Sequence, residues 1–218
     1  MIGIPRYNMI ASVRRDATFQ AYNPTHPSQE VAVNLLKRLV TGLVNKESSI
    51  VSSPRPFERG RMVFLQGPPG LGKTHLLEAV VNALREQAPR LHEATVLVPG
   101  KLFTVTVRSF EEEIYAPAKI ILLDDLFQTH SSIDDVSGHE IGLVSNWVMS
   151  LYEHGQLAIL SSNHSLDALM TRVEMNDKVG RVKSRLHEMM AGVGRLVLEG
   201  DDYRVKLAES SAVDPFDV

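Results

Sequence analysis

The chain has 218 residues, with 23 basic and 26 acidic side chains, 44% hydrophobic residues and no cysteine. This composition predicts one globular domain in a reducing compartment and excludes disulfide scaffolds, thiolate zinc sites and thiol catalysis. Because no apolar run approaches the roughly 20 residues of a membrane span, we expect a cytoplasmic protein without a membrane partner. The net charge of −3 gives no global attraction to nucleic acid, so any such site must be a local patch.

Three segments are expected along the chain. Residues 1–27 combine prolines with polar and aromatic residues and predict an irregular lead-in. Residues 28–206 contain the regular patterns of a folded domain, and residues 207–218 predict a flexible acidic tail. Within the domain, residues 28–43 repeat apolar side chains at the spacing of one helix face, whereas residues 47–61 predict an exposed loop.

From residue 62 onward, short apolar strands alternate with helical patterns. Strands are predicted at 62–65, 94–98, 120–123, 157–160 and 195–198. Helices are predicted after the first strand, ending by residue 89, and at about 139–154, 165–173 and 178–190. Alternating α and β elements with fully apolar strands predict an α/β fold, in which helices cover both faces of a parallel sheet.

Residues Gly67–Thr74 match the phosphate-binding P-loop pattern G-x-x-x-x-G-K-S/T and lie between the first strand and the following helix. Its glycines allow successive backbone N–H groups to face a polyphosphate at a helix N-terminus. Lys73 is expected to contact the β- and γ-phosphates of ATP, and the Thr74 hydroxyl is expected to bind Mg²⁺. The residues predicted to bind nucleotide in and beside the motif are Gly67, Pro68, Pro69, Gly70, Leu71, Gly72, Lys73, Thr74 and His75.

Polar residues end two later strands and complete the predicted site. Asp124 and Asp125 follow an apolar strand, where Asp124 is expected to bind Mg²⁺ and Asp125 to polarise the attacking water. Asn163 ends another strand and is the candidate for contacting the γ-phosphate or that water. Lys73, Asp124, Asp125 and Asn163 are therefore predicted catalytic residues.

Basic residues cluster on the last predicted helix and just before it. They are Arg172, Lys178, Arg181, Lys183 and Arg185. An arginine from a neighbouring subunit is one device that neutralises charge in the transition state of phosphoryl transfer. The same residues, together with residues 101–108, form the candidate patch for DNA.

In this combination the chain resembles the AAA+ ATPases, and within them the replicative helicase loaders of the DnaC/DnaI type and their relative IstB. Arg15-Asp16-Ala17-Thr18-Phe19 is similar to the loaders' lead-in, Ser184-Arg185-Leu186 to their arginine-finger helix, and Asp202-Tyr203-Arg204 to their terminal motif. The resemblance implies a P-loop AAA+ core whose five-stranded parallel sheet has the order 5-1-4-3-2, with no separate helical lid.

The same resemblance implies roles for individual residues. Asn163 would be sensor 1, and Arg185 would be a catalytic finger acting in trans. The lead-in would contribute to the nucleotide pocket, with residues near Thr18, Phe19 and Tyr22 against the adenine. Arg204 is a further candidate for a sensor-2 role. Loaders usually carry an N-terminal helicase-binding domain, for which little chain is available before the P-loop. We expect that part to be missing, replaced or supplied by another chain.

The function implied is an ATPase that acts as an assembly factor in DNA replication. It would bind ATP and Mg²⁺, form a nucleotide-dependent homo-oligomer, and load or remodel a replicative helicase on single-stranded DNA. The alternatives are an IstB-like transposition helper, a ZapE-like ATPase in cell division, and a slow nucleotide-gated adaptor that holds a protein partner. A small-molecule kinase is disfavoured because no acceptor-binding insertion or arginine-rich lid follows the sheet.

Overall fold

The computed structural model describes residues 13–100, 118–177, 179–191 and 194–203. Within them, seven α-helices and five β-strands alternate along the chain. The elements are α1 (Pro27–Asn45), α2 (Glu47–Ser52), β1 (Arg61–Gln66), α3 (Lys73–Gln87), α4 (Pro89–Glu93), β2 (Thr95–Pro99), β3 (Ile120–Leu126), α5 (Gly138–His154), β4 (Leu157–Ser162), α6 (Leu166–Asn176), α7 (Arg181–Met189) and β5 (Arg195–Val197).

The five strands form one parallel sheet in the order β2-β3-β4-β1-β5. This order is the predicted 5-1-4-3-2 order read from the opposite edge, so the predicted α/β fold and its topology are confirmed. Strand β4 lies between β1 and β3, with Gln66 opposite Ser162 and Leu123 opposite Leu160. The carboxyl ends of these three strands therefore meet at one edge of the sheet.

Two hydrophobic cores lie on the two faces of the sheet. Val63 and Leu65 of β1 belong to one core, together with side chains of α1 and α3. Met62 and Phe64 belong to the other core, with side chains of α5, α6 and α7. Successive strand residues point to opposite faces, and both faces are covered here, which explains why the strands are apolar throughout.

Most helices begin and end where the sequence predicts. Helix α5 begins with a capping box, in which Ser137 and Glu140 satisfy each other's backbone N–H groups, and it ends at Gly155 with φ of 61°. Helix α7 begins at Arg181 rather than at residue 178, and Lys178 lies outside the described residues. No helix in the described ranges is both long and apolar enough to cross a lipid bilayer.

The prediction of a loop over residues 47–61 is wrong for its first part. Residues Glu47–Ser52 form α2, because the Ile50 side chain is buried at 3% exposure in the core beside α1. The Glu47 carboxylate also accepts hydrogen bonds from the backbone N–H groups of Arg90 (3.0 Å) and Leu91 (3.2 Å) at the start of α4. Tertiary packing thus stabilises a short helix in a segment whose composition is typical of a loop.

The central strand supplies a stability test. Leu122 of β3 has no exposed surface, so Leu122→Ala is expected to lower the free energy of unfolding by about 2–5 kcal/mol. Val31→Ala, at a residue with 53% exposure, is the control and is expected to change it by less than about 0.5 kcal/mol. Urea titration at an unchanged m-value measures both, and equal losses in the two variants would contradict this account of the core.

Candidate nucleotide-binding site

The loop between β1 and α3 adopts a conformation that its glycines make possible. Gly70 and Gly72 have φ of +82° and +77°, values that favour glycine. A Cβ atom on Gly72 would lie 2.5 Å from a ring carbon of Tyr22. Helix α3 begins at the next residue, Lys73, so the positive end of its dipole is directed at the loop.

The Lys73 side chain connects this loop to the end of β4. Its residue is only 7% exposed, and its ammonium group donates hydrogen bonds to the carbonyl oxygens of Gly67 (2.7 Å) and Pro68 (2.9 Å). A third bond, of 2.7 Å, reaches Oδ1 of Asn163. The predicted phosphate-binding lysine and the predicted sensor asparagine are thus in direct contact.

The Asp124 carboxylate lies within hydrogen-bond distance of two hydroxyl groups. Its Oδ1 accepts hydrogen bonds from the hydroxyl of Thr74 (3.1 Å) and from the hydroxyl of Ser161 (2.8 Å). Thr74 lies in the first turn of α3, whereas Ser161 belongs to β4. Close carboxylate and hydroxyl oxygens are hard ligands of the kind that Mg²⁺ prefers, so these residues fit the predicted role in binding that ion.

Asp125 is presented by a strained turn at the end of β3. It has φ of 58°, and Phe127 has φ of 65°, both unusual for residues other than glycine. The pairing between β3 and β4 is irregular between Leu123 and Leu126. The backbone N–H of Asp125 donates to the Ser161 hydroxyl (2.8 Å), and Oδ1 of Asp125 accepts from Nδ2 of Asn163 (2.9 Å). The turn therefore places the carboxylate beside the asparagine rather than along the strand.

Gly100 completes this turn from the neighbouring strand. A Cβ atom there would lie 2.0 Å from the carbonyl oxygen of Asp125 and 2.7 Å from that of Asp124. Only a residue without a side chain fits so close to the backbone of the two acids. Nothing in the local sequence pattern distinguishes Gly100 from an ordinary turn glycine.

The environment of Asp125 disfavours its charged form. Burial raises the pKa of the Asp125 carboxyl above its usual range, and the neighbouring charge of Asp124 adds to this effect. The positive charge of Lys73 acts in the opposite direction but does not cancel the shift. A carboxylate with a raised pKa is a stronger base, which suits the predicted role in accepting a proton from water.

These groups open into one cavity with a volume of about 560 Å³. Its wall combines the P-loop, both acids, the end of β4, the lead-in, the start of α1 and the segment after β5. The lining residues are Arg14, Ala21, Tyr22, Asn23, Thr25, Gln29, Pro69, Gly70, Leu71, Gly72, Lys73, Thr74, His75, Asp124, Asp125, Gln128, Ser161, Asn163, Asp201 and Tyr203.

Three residues predicted to bind nucleotide do not line this cavity. Gly67 and Pro68 instead supply the carbonyl oxygens that bind Lys73. Phe19 is buried in the core beside α1 and α3 at 8% exposure. The expected position of Phe19 against the base is therefore corrected, because its wholly apolar ring is buried in the core.

Tyr22, also expected near the adenine, lines the cavity. Its hydroxyl donates to the carbonyl oxygen of Leu71 (2.7 Å), and burial raises the pKa of Tyr22 to about 12. His75 also lines the cavity as predicted, with its ring 5.5 Å from that of Tyr22. A tyrosine ring suits the wall of a cavity because its hydroxyl group needs a polar partner. A phenylalanine ring has no polar group, so it can be buried completely in the core.

Arg185 does not line the cavity of its own chain. Its guanidinium group lies 4.2 Å from the centroid of the Tyr152 ring. It donates hydrogen bonds to the Tyr152 hydroxyl (3.1 Å) and to Oε1 of Glu188 (2.9 Å). Arg204 and residues 101–108 and 207–218, which carry other predictions, lie outside the described residues.

The main residues that the sequence analysis missed are Ser161, Gly100 and the segment after β5. Ser161 precedes Asn163 in the same strand-end cluster, so the cluster itself was the signal for it. Asp201 and Tyr203 reach the cavity because the Tyr203 backbone N–H donates to the carbonyl oxygen of Gly70 (3.2 Å). That contact joins residues far apart in the chain and leaves no local pattern.

Comparison with solved structures finds the same fold in several other proteins. The structure of the DnaC helicase loader aligns over 84% of this chain and 97% of its own, with a TM-score of 0.59 and 22% identity. DnaI aligns over 85% and 92%, with a TM-score of 0.58 and 15% identity. AMPPCP-bound DnaA from Aquifex aeolicus aligns over 91% and 55%, with a TM-score of 0.55 and 16% identity. The predicted α/β fold and the predicted similarity to DnaC and DnaI are thus confirmed.

Sequence comparison is less informative. The chain is 25% identical over 186 residues to transcription termination factor Rho of Akkermansia muciniphila. That match covers 85% of this chain, which spans only 35% of the length of Rho. No protein-family model matches the sequence.

The raised pKa of Asp125 predicts an effect on stability. A raised carboxyl pKa means that stability falls as pH rises from the ordinary value of 3.8 through the folded-state value, so the penalty is fully present at pH 7. Asp125→Asn removes that charge, and asparagine tolerates the left-handed conformation well. We expect a higher midpoint of urea denaturation at pH 7 for Asp125→Asn than for the unmodified protein.

Asp124→Asn is the matched control for this prediction. Asp124 accepts hydrogen bonds from two hydroxyl groups, so its neutralisation is expected to bring no gain in stability. A lower midpoint for Asp125→Asn than for the unmodified protein at pH 7 would show that the Asp125 carboxylate is not destabilised by its surroundings.

Proposed function

We propose that this protein is an ATP-binding and ATP-hydrolysing assembly factor of DNA replication, which acts as a nucleotide-dependent homo-oligomer in the cytoplasm. One observation carries the proposal. Lys73, Thr74, Asp124, Asp125 and Asn163 come from three different strand ends, yet they converge in a single cavity. A structural role for each residue alone would not require this convergence of a cation, two acids and an amide.

The residues fit ATP with Mg²⁺. The glycine loop offers backbone N–H groups to a polyphosphate, and the Thr74 hydroxyl and Asp124 carboxylate, 3.1 Å apart, offer hard oxygen ligands to the ion. When bound, Mg²⁺ would neutralise negative charge on the phosphates. Lys73 would hold the phosphates from the side of β4, because Asn163 and two loop carbonyl oxygens keep its ammonium group there.

Asp125 would orient the attacking water and accept its proton. Its raised pKa increases its basicity, and the Ser161 hydroxyl fixes the backbone that carries it. Asn163 contacts both Lys73 and Asp125. A displacement of Lys73 toward a phosphate would therefore change the contacts of Asn163 and, through them, those of Asp125. This is the behaviour expected of a sensor.

Arg185 would complete the site from a neighbouring subunit. It lies outside the cavity of its own chain, on α7, where the Tyr152 ring and Glu188 hold it. A finger that acts in trans must be available on the surface of the subunit that donates it, and the Arg185 side chain is 36% exposed. Nucleotide binding and oligomerisation would then depend on each other.

The proposed partners are a replicative helicase and single-stranded DNA. The helicase is proposed from the structural similarity to the DnaC helicase loader. For DNA, three candidates of the basic patch already have partners within the chain. Arg172 donates to the carbonyl oxygen of Val136, Lys183 pairs with Glu174, and Arg185 pairs with Glu188. Arg181 is exposed on α7, so the DNA contact is proposed to centre on this residue and on residues 101–108.

Arg185→Ala tests the proposal. We expect ATP hydrolysis to fall by about 1,000-fold or more and assembly with an ATP analogue to weaken, because the arginine would contact the nucleotide held by the neighbouring subunit. Steady-state hydrolysis measures the rate, and light scattering with ADP, with an ATP analogue, and with analogue plus oligo-dT measures assembly. Arg90→Ala, at an exposed residue of α4, is the control and should behave as the unmodified protein.

The outcomes separate the candidate functions. Growth to an oligomer only with analogue and DNA supports the loader function. An unchanged rate and unchanged mass in Arg185→Ala would contradict the mechanism in trans. A monomer that binds ATP tightly and turns it over negligibly would instead indicate the nucleotide-gated adaptor.

A further inference from the structure

Helix α3 carries a stripe of polar side chains that the hydrolytic site does not use. His75, Glu78 and Asn82 are spaced three and four residues apart, so they lie along one face of the helix. Glu78 is 6% exposed and Asn82 is 4% exposed. Burying a carboxylate and an amide is unfavourable unless each is hydrogen-bonded, so their partners show what they do.

The partners of Glu78 and Asn82 are in the lead-in. Nδ2 of Asn82 donates to the carbonyl oxygens of Arg14 (2.8 Å) and Ala17 (2.7 Å). The Glu78 carboxylate accepts from the Arg14 guanidinium group through Nε (2.8 Å) and Nη2 (2.7 Å), and from the Arg14 backbone N–H (3.4 Å). These hydrogen bonds raise the pKa of Arg14.

His75 continues the same stripe toward the cavity. Its Nε2 lies 2.8 Å from the carbonyl oxygen of Thr18. Because a carbonyl oxygen only accepts, this nitrogen carries the proton. The stripe therefore binds the lead-in backbone at three successive points, Arg14, Ala17 and Thr18.

The residues that follow these points form one wall of the cavity. Ala21, Tyr22, Asn23 and Thr25 all line it. The described part of the lead-in before α1 contains turns but no helix or strand, so backbone pairing within a regular element does not hold this wall in place. Contacts to α3 and the P-loop hold it instead, including the bond from the Tyr22 hydroxyl to Leu71.

We infer that Glu78 and Asn82 are positioning residues for recognition of the nucleotide base. They hold the lead-in against the helix that also carries Lys73 and Thr74. One rigid element thereby sets the distance between the wall that contacts the base and the loop that contacts the phosphates. The aromatic and polar residues of this wall suit a flat, hydrogen-bonding base. This inference rests on the proposed binding of ATP in the cavity.

The inference predicts that the two residues contribute to binding of the base but not of the phosphates. Binding of ATP and of inorganic tripolyphosphate, each with Mg²⁺, is measured by calorimetry. Asn82→Ala is expected to weaken ATP binding by about 10-fold or more, because two hydrogen bonds to the lead-in are lost. Tripolyphosphate binding should remain within about 2-fold. Tyr22→Ala, which removes part of the wall itself, should show the same pattern.

Two further variants control for stability and for the chemistry of the ion pair. Glu86→Ala, at an exposed position of the same helix, should change neither affinity. Glu78→Gln keeps the size of the side chain but weakens its bond to Arg14. It is expected to lower ATP affinity in the same direction and provides the test if Asn82→Ala fails to fold.

Each outcome has a distinct meaning. Equal losses of ATP and tripolyphosphate affinity would overturn the inference, because the residues would then support only the P-loop helix. Unchanged ATP affinity in both variants, or equal affinities of the unmodified protein for the two ligands, would also overturn it. Failure of the unmodified protein to bind ATP at all would instead contradict the proposed function.

Discussion

The pairing of β4 with β1 and β3 is the constraint on which the site depends. Gln66 lies opposite Ser162, and the backbone N–H of Gly67 donates to the carbonyl oxygen of Ser162 (3.3 Å). This register brings the P-loop beside Asn163, where Lys73 reaches the amide. Because side chains alternate between the faces of a sheet, a shift of one residue would turn Ser161 and Asn163 away from their partners.

The part of the site that carries Asp125 depends on an unfavourable backbone conformation. The positive φ angles at Asp125 and Phe127 are costly, and a side chain at position 100 would clash with the backbone of this turn. Two hydrogen bonds offset the cost, one from the Asp125 backbone N–H to the Ser161 hydroxyl and one from the Ser162 hydroxyl to the Leu126 carbonyl oxygen. Strain, burial and a raised carboxyl pKa therefore occur together at the residue assigned to the chemistry, as is common at functional sites.

Most of the fold, and the meeting of the P-loop with Asp124 and Asp125 at one edge of the sheet, were predictable because their signals are local. Fully apolar strands that alternate with capped helices indicate a parallel sheet covered on both faces. The P-loop and the Asp124-Asp125 pair are short patterns whose residue types indicate their chemistry. Helix α2 was not predictable, because it depends on how other helices pack around it. Ile50 is buried beside α1, and the Glu47 carboxylate caps the start of α4. Phe19 and Tyr22 were not distinguishable either, because both are aromatic and only packing decides which ring enters the core.

The sequence by itself determined the order of elements, the parallel sheet and the residue types at the candidate site that suit phosphate and metal, because these follow from periodicity and from neighbours along the chain. Only the tertiary structure decided which lead-in residues line the cavity, how Glu78 and Asn82 bind the lead-in, and how residue 203 contacts the P-loop. These contacts join segments separated by about 60 to 130 residues. Hydrogen bonds over such separations depend on how whole elements pack, which no local pattern encodes.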